Sequence, residues 1–410
     1  MKKTRLLLLI IAALVWFIAP NLAAESETRL NLHLYNTIYR GRANTWYYGA
    51  NGLADLRFSL VGNKRIKAQT ALEFFQQDIS GRSEESTPTV SLKRLWVKAD
   101  FPSWRLTVGK TKVAWGNGFV FNSGDVLFGS ISPYLDFTQS TVRDDTAFLT
   151  AFNIPLGQFS FLEAVVLPPD FLDGKTNNRF AAQPLGQISG GMRFFTKIGG
   201  FHLEGGYLYK GDKKVLYDLL GHRPYLSFHG HAGVDFYGAV SMAAGYDSSL
   251  IDDQNRDTWD EISRTVNFSV GFFHQVQAGY DGTLSFRLES LIMPWQSWEA
   301  EDFLDILAGA NYGIMIYPEI RWNFFQSAWT LSLQSIISPI DASAQITGSA
   351  GWQVFQGFTL LAYVKVNIGE AQSLFAWDRT DAWPYKGFEN EWPESTYNGI
   401  SFTLGAKYVY

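Results

Sequence analysis

Charged residues recur at alternate positions in several short segments of this sequence, separated by apolar residues. Arg287 and Glu289 share one face of segment 283–292, whereas Leu284, Phe286, Leu288 and Ile292 share the other. Charges on the wall of a water-filled passage focus an electric field and select ions by sign. Alternatively, each charge pairs across strands and only solvates the wall. Nine cations and five anions, a weak bias towards anions, form the candidate set of pore-lining charges: Lys67, Arg94, Lys98, Arg105, Arg193, Arg287, Arg321, Lys365, Lys407, Glu73, Asp100, Glu204, Glu289 and Glu319.

The elements that carry these charges follow a signal-like leader. Residues 1–24 combine a charged start, an apolar run and the small pair Ala23-Ala24, as secretory signal peptides do. The apolar run, 6–18, is too short to be interpreted first as a membrane-spanning helix. We therefore expect cleavage after Ala24, export, and a mature domain of residues 25–410.

The composition excludes several protein classes. The chain has no cysteine, which excludes a disulfide scaffold and a thiolate metal site. Its formal net charge of −5 argues against nucleic-acid binding. No later run of apolar residues is long enough for a spanning helix, while aromatic residues make up 16% of the chain. An exported, cysteine-free and aromatic-rich chain of this kind indicates the outer membrane of a diderm bacterium.

The spacing of the joins between alternating segments predicts the fold class. Even-numbered joins are short, as at 62–65 and 101–104, whereas most odd-numbered joins are long and polar. The chain is therefore predicted to be all-β, a transmembrane antiparallel up-and-down β-barrel of about 18 strands (16–18), with short periplasmic turns and long external loops. The predicted strands begin near residues 29, 50, 65, 91, 105, 145, 158, 187, 201, 224, 235, 262, 283, 312, 329, 344, 358 and 399.

The longest join, 113–144, is too apolar for a loop surrounded by water. We expect it to fold into the barrel as a constriction loop, with Trp115 and Phe121 on the wall and with Asn117, Asn122 and Asp125 narrowing the opening. Glycines in the same stretch allow a tightly folded backbone. The alternatives are a loop packed over the barrel mouth and a hairpin that extends the strands. The second long join, 369–398, is rich in rings and carboxylates and is expected to be an external loop.

The start of the constriction loop resembles a signature of porin-like outer-membrane barrels. In those proteins a strand runs into Trp-Gly and then into Phe-Asn-Pro-x-Asp. Here Trp115-Gly116, Phe121-Asn122 and Asp125 match, and Ser123 stands where proline is common. The resemblance covers about 25 residues and implies a porin-like class without a particular substrate.

The sequence offers little for other chemistry. None of the six histidines lies in a recognised nucleophile setting, so we do not expect an enzyme. His229 and His231 share one strand face, a spacing able to hold a metal, but no third ligand is evident in the sequence. No nucleotide-binding motif is present. We accordingly expect no cofactor and no metal site.

The leading hypothesis is a passive aqueous channel for small polar or weakly anionic solutes. The alternatives are a transporter of a specific hydrophobic or saccharide substrate, and a surface adhesin or scaffold barrel. The expected partners are outer-membrane lipid, small solutes, and the barrel-assembly machinery through the C-terminal strand that ends at Tyr410. Homo-oligomer formation is left open, and no nucleic acid is expected.

Overall fold

A computed structural model describes residues 25–41, 45–63, 65–77, 89–130, 146–168, 188–211, 221–242, 266–300, 312–370, 373–375 and 397–410. The predicted signal peptide, 1–24, lies outside these ranges. The strands are β1 (Glu25–Gly41), β2 (Trp46–Asn63), β3 (Ile66–Gln77), β4 (Thr89–Asp100), β5 (Arg105–Lys112), β6 (Thr146–Pro155), β7 (Ser160–Leu167), β8 (Ser189–Ile198), β9 (Phe201–Tyr209), β10 (His222–His231), β11 (Asp235–Ser241), β12 (Asn267–Gln277), β13 (Thr283–Ile292), β14 (Ile314–Phe324), β15 (Trp329–Ser338), β16 (Ser343–Phe355), β17 (Phe358–Ile368) and β18 (Tyr397–Val409).

These strands form one closed barrel. Each strand pairs antiparallel with its neighbours in the sequence, and β1 also pairs with β18. At this junction Leu30 and Tyr410 exchange backbone hydrogen bonds of 3.0 and 2.9 Å. Closure gives the backbone amides of every described strand a partner strand on both sides, which a lipid environment requires. The prediction of an antiparallel barrel with about 18 strands is confirmed.

The two-residue period of the strands separates an apolar outer face from a polar inner face. On β18, Phe402 and Leu404 are 44% and 66% exposed, whereas Ser401 and Thr403 are 8% and 3% exposed. Large apolar side chains stay exposed on the outer face of strands around the barrel. Such a face is stable against hydrocarbon and unfavourable in water. The described ranges contain no helical segment with the length and hydropathy that a membrane span needs.

The strand starts agree with the sequence pattern to within five residues. The largest difference is at β12, predicted near 262 and observed from Asn267, where residues 262–265 lie outside the described ranges. Aromatic rings pack at the short turns, as with Phe101 and Trp104 at 4.0 Å between ring centroids. Trp329 and Trp352, which lie close to the β14–β15 and β16–β17 turns, stack with 5.4 Å between their ring centroids.

Candidate functional site

The strand register places all the candidate pore-lining charges on the inner face. Lys67 lies opposite Lys98, Arg287 opposite Glu319, and Lys365 opposite Ser401, which is on the buried side of β18. The same alternation places the remaining charges of the set on that face, because side chains two residues apart share a side of the sheet.

Several of these charges form ion pairs with one another. Arg321 lies 2.8 Å and Arg287 3.7 Å from the Glu319 carboxylate. Lys98 and Arg105 each lie 3.6 Å from Asp100. These charges on β4, β5, β13 and β14 are therefore partly neutralised by neighbours on the same strand or on the adjacent strand.

The described part of the predicted constriction loop, 113–130, lies inside the barrel against the inner wall from β6 to β15. We call this segment the inward loop. Near the start of the loop, the Gly116 backbone amide donates a hydrogen bond to the Glu204 carboxylate on β9 at 3.0 Å. The Tyr225 hydroxyl and an Arg193 guanidinium nitrogen, at 3.3 Å, donate to the same oxygen. Glu204, 6% exposed, is thus a buried acceptor for the loop and the wall together.

A second carboxylate, Glu289 on β13, binds the tip of the inward loop. The backbone amides of Phe119, Val120 and Phe121 donate to it at 2.8, 2.7 and 2.9 Å, and the Tyr237 hydroxyl donates as well. Glu289 is only 1% exposed. Hydrogen bonds to an ionised acceptor are about twice as strong as neutral ones, so this carboxylate is the tightest attachment of the loop.

The same two regions hold the loop by apolar contact. Trp115 is fully buried in a cluster with wall residues of β6, β7, β9 and β10, and its ring stacks on Tyr225 at 5.7 Å. Val120 and Phe121 are buried against residues of β13, β14 and β15. The guanidinium of Arg287 lies 3.6 Å from the centre of the Phe119 ring, a cation–π contact. The aromatic residues that made the sequence too apolar for an external loop therefore face the wall.

The polar residues of the loop differ from the expectation. Asn122 and Asp125 were expected to narrow the opening, but they are 3% and 4% exposed. Asn122 donates to the Trp115 carbonyl at 2.9 Å, and its side-chain oxygen accepts from Gly124 at 3.0 Å. Asp125 accepts from the Phe128 amide at 3.2 Å. Both side chains satisfy the loop's own backbone, because a folded loop inside the barrel must pair its amide and carbonyl groups.

Asn117 differs from these two residues because it is only partly buried. Its amide nitrogen donates to the Ser227 hydroxyl on β10 at 2.9 Å. Of the three polar residues expected at the opening, Asn117 alone keeps a partly exposed side chain. Residues 131–144, the rest of the predicted constriction loop, lie outside the described ranges.

The serine at the position where porin-like barrels commonly have proline has a structural role. The Ser123 backbone amide donates to the Ser269 hydroxyl on β12 at 2.9 Å. Proline has no amide hydrogen and could not make this bond. Close backbone approach also requires glycine at 116, where φ is +70° and an added β-carbon would lie 2.7 Å from Gly124 Cα.

The histidine pair lies at the end of β10. His231 Nδ1 is 2.7 Å from the Asp235 carboxylate across the turn, and His229 Nε2 is 3.9 Å from the same oxygen. Among the described residues, no three potential ligands are arranged to hold one metal ion.

Sequence reasoning missed several inner-wall groups. Glu163 on β7 forms a 2.8 Å ion pair with Arg193 and accepts from the Trp115 indole at 3.3 Å. Arg223 on β10 donates to the Val126 carbonyl of the loop at 3.2 Å. Glu163 lies between Leu162 and Ala164, so the alternation that identified the other charges was present there, whereas Arg223 precedes the start near 224 that the sequence predicted for its strand.

The second long join is described only at its edges. Leu374 and Phe375 pack against the cluster that holds Val120 and Phe121, and the Leu374 amide donates to Asp341 at 2.6 Å. The ring-rich and acid-rich part of the expected external loop, 376–396, lies outside the described ranges.

Comparison with known proteins gives matches in structure only. No protein-family model and no curated protein matches the chain. The chain is similar to Acinetobacter baumannii OccAB3, with a TM-score of 0.53 at 10% identity over 94% of this chain and 99% of that one. It is also similar to Pseudomonas aeruginosa OccK2 (OpdF) in complex with glucuronate, with a TM-score of 0.52 at 10% identity over 94% and 98% of the two chains. Identities this low show a common fold.

The fold and its inner wall define the class. The chain forms a porin-like transmembrane β-barrel of 18 antiparallel strands, with a polar inner face and an inward loop. This confirms the porin-like barrel fold that the Trp-Gly and Phe-Asn-x-x-Asp residues implied.

Proposed function

We propose that this protein is an outer-membrane porin, a passive aqueous channel for small polar or weakly anionic solutes. The observation that carries the proposal is the attachment of the inward loop to one side of the inner wall by Glu204 and Glu289. A barrel of this size has an aqueous interior unless a segment fills it. A loop fixed along one side narrows that interior and directs solutes along the opposite wall.

The sign of the selectivity follows from the charges that face the remaining passage. The acidic groups Glu204 and Glu289 are bound to the loop, and Glu319 is paired with arginines. The lysines Lys365 and Lys407 lie on the inner face of β17 and β18, strands that carry no carboxylate. We therefore assign the fourteen pore-lining charges a net preference for anions. The binding of glucuronate, a small anion, by OccK2, a protein of this fold, is consistent with that assignment.

The remaining parts of the proposal concern export and assembly. Residues 1–24 act as a cleaved signal peptide. The last strand, which ends at Tyr410, is the segment that the barrel-assembly machinery recognises, and the outward apolar face contacts lipid. The proposal assigns the protein no enzymatic activity, no cofactor and no resident metal.

Single-channel recording of the refolded protein in a planar bilayer tests the proposal. We expect stable conductance steps and a reversal potential, under a salt gradient, that indicates mild anion preference. Replacing both Lys365 and Lys407 with Gln is expected to shift the reversal potential towards cation preference. The control, Lys110→Gln, removes a charge from the outer face of β5 and is expected to leave it unchanged. A correctly folded protein that conducts no ions would refute the channel.

A further inference from the structure

Four consecutive strands differ from the rest of the barrel in the chemistry of their inner face. Strands β15 to β18 contain no Asp or Glu, and their only charged residues are Lys365 and Lys407. The other inward side chains of these strands are mainly hydroxyl and amide groups. Ser332 on β15 and Ser349 on β16, for example, face each other across the sheet at 2.6 Å between hydroxyl oxygens.

A cavity of about 330 Å³ lies on this wall, near the short-turn end of the barrel. Its lining combines apolar groups, Leu361 and three alanines, with polar groups that include Thr330, Gln353, Thr359, Tyr363, Arg321 and Lys407. The residues of the described ranges that line it include no carboxylate. The volume is at the lower end of the range for small-molecule sites, which spans about 300–1,000 Å³.

The two cations differ in how far they are neutralised. Arg321 lies 2.8 Å from Glu319 and shares that carboxylate with Arg287. Lys407 has no ion-pair partner among the described residues and is only partly buried. The ammonium group of Lys407 is therefore the stronger attraction for an anion in this cavity.

The described part of the inward loop, 113–130, does not reach the cavity. The loop's hydrogen bonds reach from β7 to β13, and its apolar contacts end at β15. None of the described residues that line the cavity belongs to the inward loop. A solute moving past the loop meets the hydroxyl-rich wall on the other side of the passage.

We propose that this cavity is a solute-binding subsite for a monosaccharide-sized polyol that carries one anionic group. The hydroxyl and amide side chains offer donors and acceptors to the solute hydroxyls, and the Tyr363 ring suits the apolar face of a sugar ring. Lys407 and Arg321 attract the phosphate or carboxylate group. The inference rests on the proposed function, since it names the solutes that the channel would favour.

Block of the single-channel current by added solutes tests the subsite. The probes are glucose 6-phosphate and glucuronate, which separate a phosphate from a carboxylate source, together with glucose, inorganic phosphate and acetate. We expect at least one anionic sugar to block at a concentration about tenfold lower than glucose does. The same sugar should also block at a concentration about tenfold lower than its simple anion does, which is inorganic phosphate for glucose 6-phosphate and acetate for glucuronate. A factor of ten corresponds to one additional favourable contact. If the simple anion or glucose blocks at the same concentration as the anionic sugar, the subsite is refuted, whereas the proposed channel is not.

Three variants locate the block. Lys407→Gln is expected to raise the blocking concentration of the anionic sugar about fivefold without changing that of glucose, because only the charge is removed. Thr359→Val is expected to weaken block by both sugars. Lys197→Gln, the matched control, removes a lysine from the inner face of β8, far around the wall from the cavity, and should change neither. An equal effect of Lys197→Gln and Lys407→Gln would refute the assigned position. A protein without conductance would instead refute the channel itself.

Discussion

Removing the Glu289 carboxylate is expected to release the tip of the inward loop. Glu289→Ala deletes the acceptor for the Phe119, Val120 and Phe121 amides and for the Tyr237 hydroxyl. The strand that carries Glu289 stays paired with its neighbours through backbone bonds, which do not involve the side chain. The barrel should therefore fold, with the loop as the part that changes.

The size of the effect follows from the number of bonds. A hydrogen bond to a charged group contributes about 1.5–3 kcal/mol, so the three amide bonds together contribute roughly 4.5–9 kcal/mol to holding the loop. Burial of Val120 and Phe121 contributes about 1.5–3 kcal/mol each. The amides without an acceptor can recover hydrogen bonds only by moving into the lumen water. The lost hydrogen bonds, roughly 4.5–9 kcal/mol, outweigh the apolar contacts, roughly 3–6 kcal/mol, over most of these ranges, so we expect the tip to detach.

The isosteric variant gives a graded result. With its carbonyl oxygen in the place of Oε2, Glu289→Gln still accepts from Val120 and Phe121 and loses one bond to the loop, the one from Phe119. The Tyr237 hydroxyl, which donates to Oε1 in the native protein, would instead accept from the new amide group. That loss is about 1.5–3 kcal/mol, which is no larger than the contribution of a single buried apolar side chain. The loop of this variant is expected to stay attached.

Two measurements report release of the loop. The chain contains no cysteine, and Val120 is fully buried, so Val120→Cys supplies a unique thiol that should react with a water-soluble maleimide only when the tip leaves the wall. Channel conductance should rise and become noisier in Glu289→Ala. The control is Glu73→Ala on β3, which removes the same charge from the inner wall and loses a 2.8 Å ion pair with Lys93. If Glu289→Ala leaves the thiol unreactive and the conductance equal to that of Glu73→Ala, the attachment argument is wrong.

Two further predictions concern the outer face and the backbone of the loop. Phe402→Arg places a charge on the outer face and should lower the free energy of unfolding in a refolding titration by about 2–4 kcal/mol. Gln353→Arg, at an exposed position on the inner face of β16, should cost less, and equal costs would contradict the assignment of faces. Gly116→Ala places a β-carbon 2.6 Å from Asn122 Oδ1 at a φ of +70°, so it should loosen the loop and raise the conductance. The control is Gly348→Ala, whose added β-carbon meets nothing within 4 Å, and it should leave the conductance unchanged. If Gly116→Ala also leaves the conductance unchanged, the loop tolerates the added carbon and the prediction is wrong.

Sequence reasoning reached the strands and their faces because both follow from local rules. A strand places alternate residues on opposite faces, so the pattern around Phe402 identifies the outer side without knowledge of any neighbour. The short and long joins likewise predict which strands are adjacent. The apolar character of Trp115 and Phe121 predicts that their loop avoids water.

The roles of individual polar residues could not be predicted in the same way. In the sequence Glu73 and Glu289 are equivalent, since each is an inward glutamate on an alternating strand. Only the closed barrel brings Glu289 to the loop tip while Glu73 pairs with Lys93. Asn122 was assigned to the opening because its side chain is polar, but the folded loop uses it for internal hydrogen bonds.

The sequence by itself thus determined the strands, the apolar outer face and the polar inner face, because side-chain period and hydrophobicity act within a few residues. The tertiary structure alone decided that the inward loop lies on Glu204 and Glu289. It also places Lys407 beside a cavity whose lining includes several hydroxyl groups. The physical reason is that the loop's bonds to Glu204 and Glu289 join residues 88 and 168 to 170 positions apart in the sequence, and only strand register and barrel closure bring such residues together.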